Sequence, residues 1–156
     1  MRPAVDWTAF ERWVTRAALV AAPLMAAVML IGMVLSPHEV AGSDTATGWG
    51  LWLGVALGFG MAVVVYALPQ MLFGLALRSP SRERLNATAL AAPIWAAFGL
   101  QPLIAALVGG WEGLVPLAVM TAAAAGVLDC FVFVVAWRGR SRLGSGHPNP
   151  VATHQT

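Results

Sequence analysis

One carboxylic acid stands in a stretch that carries no other charge from Gly113 to Trp137: Asp129, in the run GVLDCFVF. A carboxyl group inside an apolar helix can exchange a proton, bind a solute, or serve as a general acid. Three residues in other apolar stretches are its candidate partners. Gln70, Tyr66 and Trp95 each bring a hydrogen-bonding group, and with Asp129 they form the candidate substrate-binding set. Gln101 and Thr121 form a second polar layer. No arginine lies within an apolar stretch, so an internal salt bridge to Asp129 would need Arg78 or Arg84 to reach inward. Gln70 and Tyr66 are the better hydrogen-bond partners.

These residues need elements that survive in lipid. The chain is 59% hydrophobic and only 10% charged, with a mean hydropathy of +0.75. A soluble domain carries roughly a quarter charged residues. Lipid is therefore the expected solvent for most of this chain, and the fold class is an all-α integral membrane protein. Four segments reach the roughly 20 residues that a membrane-crossing helix requires. They cover about residues 17–36, 48–77, 85–108 and 114–137. The first is preceded by a long flank carrying Asp6 and Glu11, which favours a retained span over a cleaved signal peptide.

The arginines set the orientation. All nine basic residues are arginine, and all fall before span one, between spans two and three, or after span four. Glu39, Asp44 and Glu112 occupy the opposite loops. The positive-inside rule then predicts four transmembrane helices with both termini cytoplasmic. Arginine in place of lysine throughout suggests a GC-rich bacterial genome and a bacterial plasma membrane. Residues 1–16 are expected to form an interfacial helix with a Thr8–Glu11 capping box, and residues 138–156 a disordered tail.

Helical spacing says which faces meet. Three, four, seven and eight residues before Asp129 lie Gly126, Ala125, Ala122 and Thr121, and Ala136 lies seven after. Small residues let helix backbones approach closely, so Asp129 is expected to point into protein. Along span two, steps of four give Gly50, Gly54, Gly58, Ala62, Tyr66, Gln70 and Gly74. The outer part reads as a packing ridge, and the inner part presents Tyr66 and Gln70 beside Pro69. Counted from the arginine ends, Asp129, Gln70 and Trp95 share a layer about 11–15 Å deep, at ~1.5 Å per residue. Pro23, Pro69 and Pro93 fall near that depth, and a bend is expected at Pro69.

Other chemistries find little support. A single cysteine, Cys130, excludes an internal disulfide and any paired-cysteine metal or redox site. No histidine falls within a span, so haem has no axial ligand pair. Met25, Met29 and Met33 recur at thioether spacing on span one, but no His or Cys joins them, and methionine is common apolar filler. No metal and no cofactor is expected. Phosphate-loop, GxSxG and HExxH motifs are absent. The basic excess follows membrane topology and does not point to nucleic acid.

The stretch YALPQMLFGLALRS, residues 66–79, resembles the first helix of PQ-loop transporters, in which a Pro-Gln pair kinks a helix lining a solute path. Two further spans follow, as in the three-helix unit of that family. This chain adds a span in front and lacks a polar solute-binding asparagine in its last helix. The resemblance implies transport. Three readings stay open: a transporter or membrane component of a transport complex, a structural or assembly subunit of a larger membrane complex, and a membrane enzyme with Asp129 as general acid on a lipid or isoprenoid. The expected partners are the lipid bilayer and either further copies of the chain or another membrane subunit.

Overall fold

The structure, a computed structural model, describes residues 6–38, 47–110 and 116–144. Four long helices account for nearly all of them: α1 (Trp7–Leu35), α2 (Gly48–Arg78), α3 (Arg82–Gly109) and α4 (Pro116–Gly144). Each is long and apolar enough to span a membrane. Bulky side chains such as Leu24, Ile31, Leu57, Leu90 and Leu107 face outward, which suits lipid rather than water.

The helix ends follow local chemistry. Asp6 caps α1 by accepting from the backbone N–H of Thr8 and Ala9 at 3.1 and 3.2 Å. The Thr8 hydroxyl also donates to it, at 2.7 Å. That hydroxyl and the Ala9 N–H hold the Asp6 carboxyl below the ordinary carboxylate range. The cap is thus Asp6, and the expected Thr8–Glu11 box does not form, because Thr8 spends its hydroxyl on Asp6 and Glu11 turns to arginine. Pro80 stops α2, and Ser81 caps α3 by accepting from Arg84 N at 3.2 Å. Gly110 ends α3 at φ +86°, a conformation that favours glycine.

Two element boundaries differ from those expected. α1 is continuous from Trp7, with no break at residue 16 between an interfacial helix and a span. Val14 and Ala18 are fully buried, and Phe10 and Trp13 meet the ring of Phe131 at 5.9 and 6.1 Å. These first turns therefore already pack on α4. The second difference is at the other end, where α4 continues past Trp137 to Gly144. Its arginines have partners there. Arg138 lies over the Trp7 ring at 4.2 Å, and Arg142 pairs with Glu11 at 2.9 Å. Residues 1–5 and 145–156, and the loop acids Glu39, Asp44 and Glu112, lie outside the described residues.

α2 is the irregular helix. Its regular parts, Gly48–Ala62 and Leu68–Arg78, flank a π-helical turn at Val63–Ala67. The cause is Pro69, which lacks an N–H and whose ring crowds the carbonyl four residues earlier. Widening the turn lets Leu68 N bond to the Val63 carbonyl instead. The irregularity thus takes the form of a widened turn one turn before Pro69. Pro23, Pro93 and Pro102 leave their helices continuous.

α4 is the central element, with 56% of its apolar window buried against 22–33% in the other three. One core draws on every helix: Val14 and Ala18 from α1, Phe73 from α2, Ala92 from α3, and Leu128, Val132 and Val135 from α4. The most extensive interface joins α3 to α4, whereas α2 touches α4 only narrowly. Glycine makes the first of these possible. A Cβ on Gly99 would lie 2.6 Å from Gly126 N and 2.8 Å from the Ala122 carbonyl oxygen. The two backbones meet there with no room for a side chain.

Candidate functional site

The narrow contact between α2 and α4 is polar. Gln70 follows the proline that ends the π turn, and its side chain is fully buried. Asp129 lies near the midpoint of α4 and is 2% exposed. The Gln70 amide nitrogen donates to Asp129 Oδ1 at 2.6 Å and more weakly to the Ala125 carbonyl at 3.4 Å. Ala125 and Asp129 are one turn apart, so one amide bridges a backbone and a side-chain oxygen on the same face. The bridge fits only because that face is small: Ala122, Ala125, Gly126 and Ala136 are buried there, and Thr121 is half-buried at its edge.

Polar satisfaction of the pair is incomplete. Gln70 Oε1 is buried without a hydrogen-bond partner. An amide oxygen left so costs roughly 1–3 kcal/mol. It is an acceptor facing the interior, adjacent to an acid whose protonated form would be a donor.

The remaining candidates are not brought to the pair by hydrogen bonds. Tyr66 sits half-buried inside the π turn and does not bond to Asp129. Trp95 packs against the core beside Phe98, ring centroids 5.6 Å apart, and makes an apolar rather than a polar contribution. The second polar layer does not assemble. The Thr121 hydroxyl donates to the Leu117 carbonyl of its own helix at 2.7 Å, and Gln101 is exposed in a shallow outer recess with Pro93 and Phe98. Both side chains have local solutions, one in the preceding turn and one at the helix surface.

Contacts of the small-residue ridge on α2 change along its length. At the inner end Gly74 is pressed against Leu19 of α1, where a Cβ would lie 2.7 Å from the leucine side chain. At the outer end Gly50 meets nothing within 4 Å. Cys130 is exposed on the outer face of α4, and Met25 and Met29 are buried as packing residues. Among the described residues no group of three or more His, Cys, Asp or Glu comes together as a metal site.

Two concavities flank the pair without reaching it. Neither the recess at Pro93–Gln101 nor a basin of about 820 Å³ at the arginine-bearing helix ends includes Gln70 or Asp129 in its lining. In this arrangement the acid–amide pair is an interhelical joint. The Ala125 carbonyl, a backbone acceptor that residue types do not mark, completes it. Comparison of the chain with protein-family models, curated proteins and solved structures finds no match.

Proposed function

We propose that this chain is a small membrane transport protein, or the membrane component of a transport complex, in which Asp129 exchanges a proton and Gln70 couples its charge to the π turn in α2. The supporting observation is the Gln70–Asp129 hydrogen bond, set one residue after Pro69 and the π turn. An amide can serve either state of an acid: its NH2 donates to a carboxylate, and its carbonyl accepts from a carboxylic acid. Protonating Asp129 turns one of its oxygens into a donor that could serve Gln70 Oε1, while the other oxygen still accepts from the amide NH2. The two states thus differ in how the joint is bonded, and the neighbouring π turn is where α2 could yield to that difference. The pair would be the occluded centre of such a cycle.

In the bacterial plasma membrane that the arginine-only basic composition suggests, the positive-inside rule would put the arginine-bearing ends in the cytoplasm. A Cys130→Ser, Ser141→Cys variant tests this. A membrane-impermeant maleimide should label it only after cells are opened, and labelling of intact cells would reverse the orientation.

The transport reading is tested in proteoliposomes holding an entrapped pH dye and exposed to a panel of small organic solutes and cations. Wild type should move protons with one solute class, and Asp129→Asn should abolish that movement while remaining folded. Uptake that persists in Asp129→Asn removes the role of Asp129, and proton movement with no member of the panel defeats the transport reading. A second reading, an assembly subunit, draws on the outer half of α2, where Gly50 and Gly60 meet nothing and Trp49 is 89% exposed. Stoichiometric co-purification of another membrane protein, lost in Asp129→Asn, would favour it. An enzymatic reading needs a cavity at Asp129, and neither concavity described extends there.

A further inference from the structure

The basin at the arginine-bearing end has a chemistry that the buried pair does not use. Arg12 and Arg16 of α1, Arg78 at the end of α2 and Arg142 of α4 all line it. Glu11 is the one acid in the lining, and it is committed to Arg142 at 2.9 Å, with Arg138 4.0 Å away. The Arg12 guanidinium contributes a little to holding the Asp6 carboxyl below its ordinary range. No described acid pairs with Arg16 or Arg78. The basin thus holds four arginines against one carboxylate that is already paired.

Hydroxyl groups do not soften that balance. Thr15 donates to the Glu11 backbone carbonyl at 2.8 Å, and Thr8 donates to Asp6. The donors left for a ligand are guanidinium groups. The rest of the lining is largely apolar and includes Leu19, Leu77, Leu85 and Val135. These belong to all four helices, so the basin lies where the bundle's four ends converge. Its volume, about 820 Å³, falls within the usual range for a bound small molecule.

We propose that this basin binds a phosphoryl group, with Arg16 and Arg78 as its principal ligands. A planar guanidinium presents paired N–H donors that match phosphate oxygens. Basic recesses between membrane helices at their cytoplasmic ends are suited to anionic headgroups. The apolar part of the lining favours a phosphate carried on an anionic phospholipid over one free in solution. Such a ligand would tie the ends of all four helices together without involving Asp129.

The test is native mass spectrometry of delipidated protein titrated with phosphatidylglycerol, alongside a separate titration with inorganic phosphate. One phosphatidylglycerol should bind and survive collisional activation. Arg16→Gln with Arg78→Gln should weaken binding about 30-fold, and each single variant about fivefold, at the strength typical of one arginine near a membrane surface. Arg82→Gln removes an arginine in the adjoining helix turn but outside the basin, and should change nothing. Binding of inorganic phosphate with the same arginine dependence would support the phosphoryl site and assign a soluble source. Should the double variant fail to give monodisperse protein, the single variants decide. Binding of neither ligand, or equal losses in Arg82→Gln and Arg78→Gln, overturns the proposal.

Discussion

Gly99→Val should leave little folded protein. A side chain at position 99 meets the backbone of α4, with Gly126 N at 2.6 Å, Gly126 Cα at 2.7 Å and the Ala122 oxygen at 2.8 Å. Backbone atoms cannot change rotamer, so the two helices must separate. Overpacking a close interface costs about 1–3 kcal/mol, and α3–α4 is the most extensive interface in the bundle. Gly99→Ala should already lower the temperature at which detergent-solubilised protein loses its monodisperse peak, and valine should abolish that peak. Gly60→Ala is the matched control. Its Cβ meets nothing within 4 Å, so replacing a mid-helix glycine should be neutral or stabilise by ~0.5 kcal/mol. A Gly99→Val protein as heat-resistant as wild type would refute the crossing.

The second large effect belongs to the buried pair, where either partner removed alone is expected to destabilise. Gln70→Leu strips Asp129 of its donor while keeping the acid buried. Hydrogen bonds to charged groups contribute about 1.5–3 kcal/mol, so a loss of that size is expected. Asp129→Leu alone leaves both ends of the Gln70 amide poorly satisfied and should cost about 1–3 kcal/mol. The double variant should be nearly as stable as wild type, because replacing both partners by apolar groups of similar shape removes the unsatisfied polarity. Unfolding of all four proteins in mixed micelles completes the cycle. Additive losses in the double variant would mean that Gln70 and Asp129 do not depend on each other.

Much of this arrangement is written in residue types and spacing. The four spans follow from apolar length, since α2 and α3 begin and end within three residues of the boundaries expected from hydropathy. Asp129 is legible as inward-facing because the helical positions around it are Ala and Gly. Gln70 is legible as its partner because it sits at matching depth in another span. What was not legible depends on packing against a particular neighbour. Thr121 carries a polar group to a similar face, but a hydroxyl on a helix can bond to the preceding turn, and it does. Gln101 sits in an apolar stretch like Gln70, yet α3 turns it outward, and composition alone cannot distinguish the two. The ends misled for a related reason. Arginine after Trp137 reads as the end of a span, whereas Trp7 and Glu11 give those arginines partners that let α4 continue. Likewise Phe10, Trp13 and Val14 read as an interfacial face until Phe131 is seen opposite the two rings.

Proline chemistry links the fold to the proposed cycle. Pro69 follows the π turn and precedes Gln70, so the residue that binds Asp129 stands beside the least regular part of the bundle. The remaining contacts between α2 and α4 are few, and Phe73 shares the core there with Leu128, Val132 and Val135.

Asp129 is proposed to change protonation while bonded to Gln70. Infrared difference spectra of the reconstituted protein, recorded between alkaline and acidic pH, read that event directly through the carboxylic C=O stretch. One carboxyl band is expected, absent in Asp129→Asn and shifted in frequency in Gln70→Leu, where the amide partner is gone. A spectrum unchanged by Asp129→Asn, or a band that ignores Gln70→Leu, would contradict it.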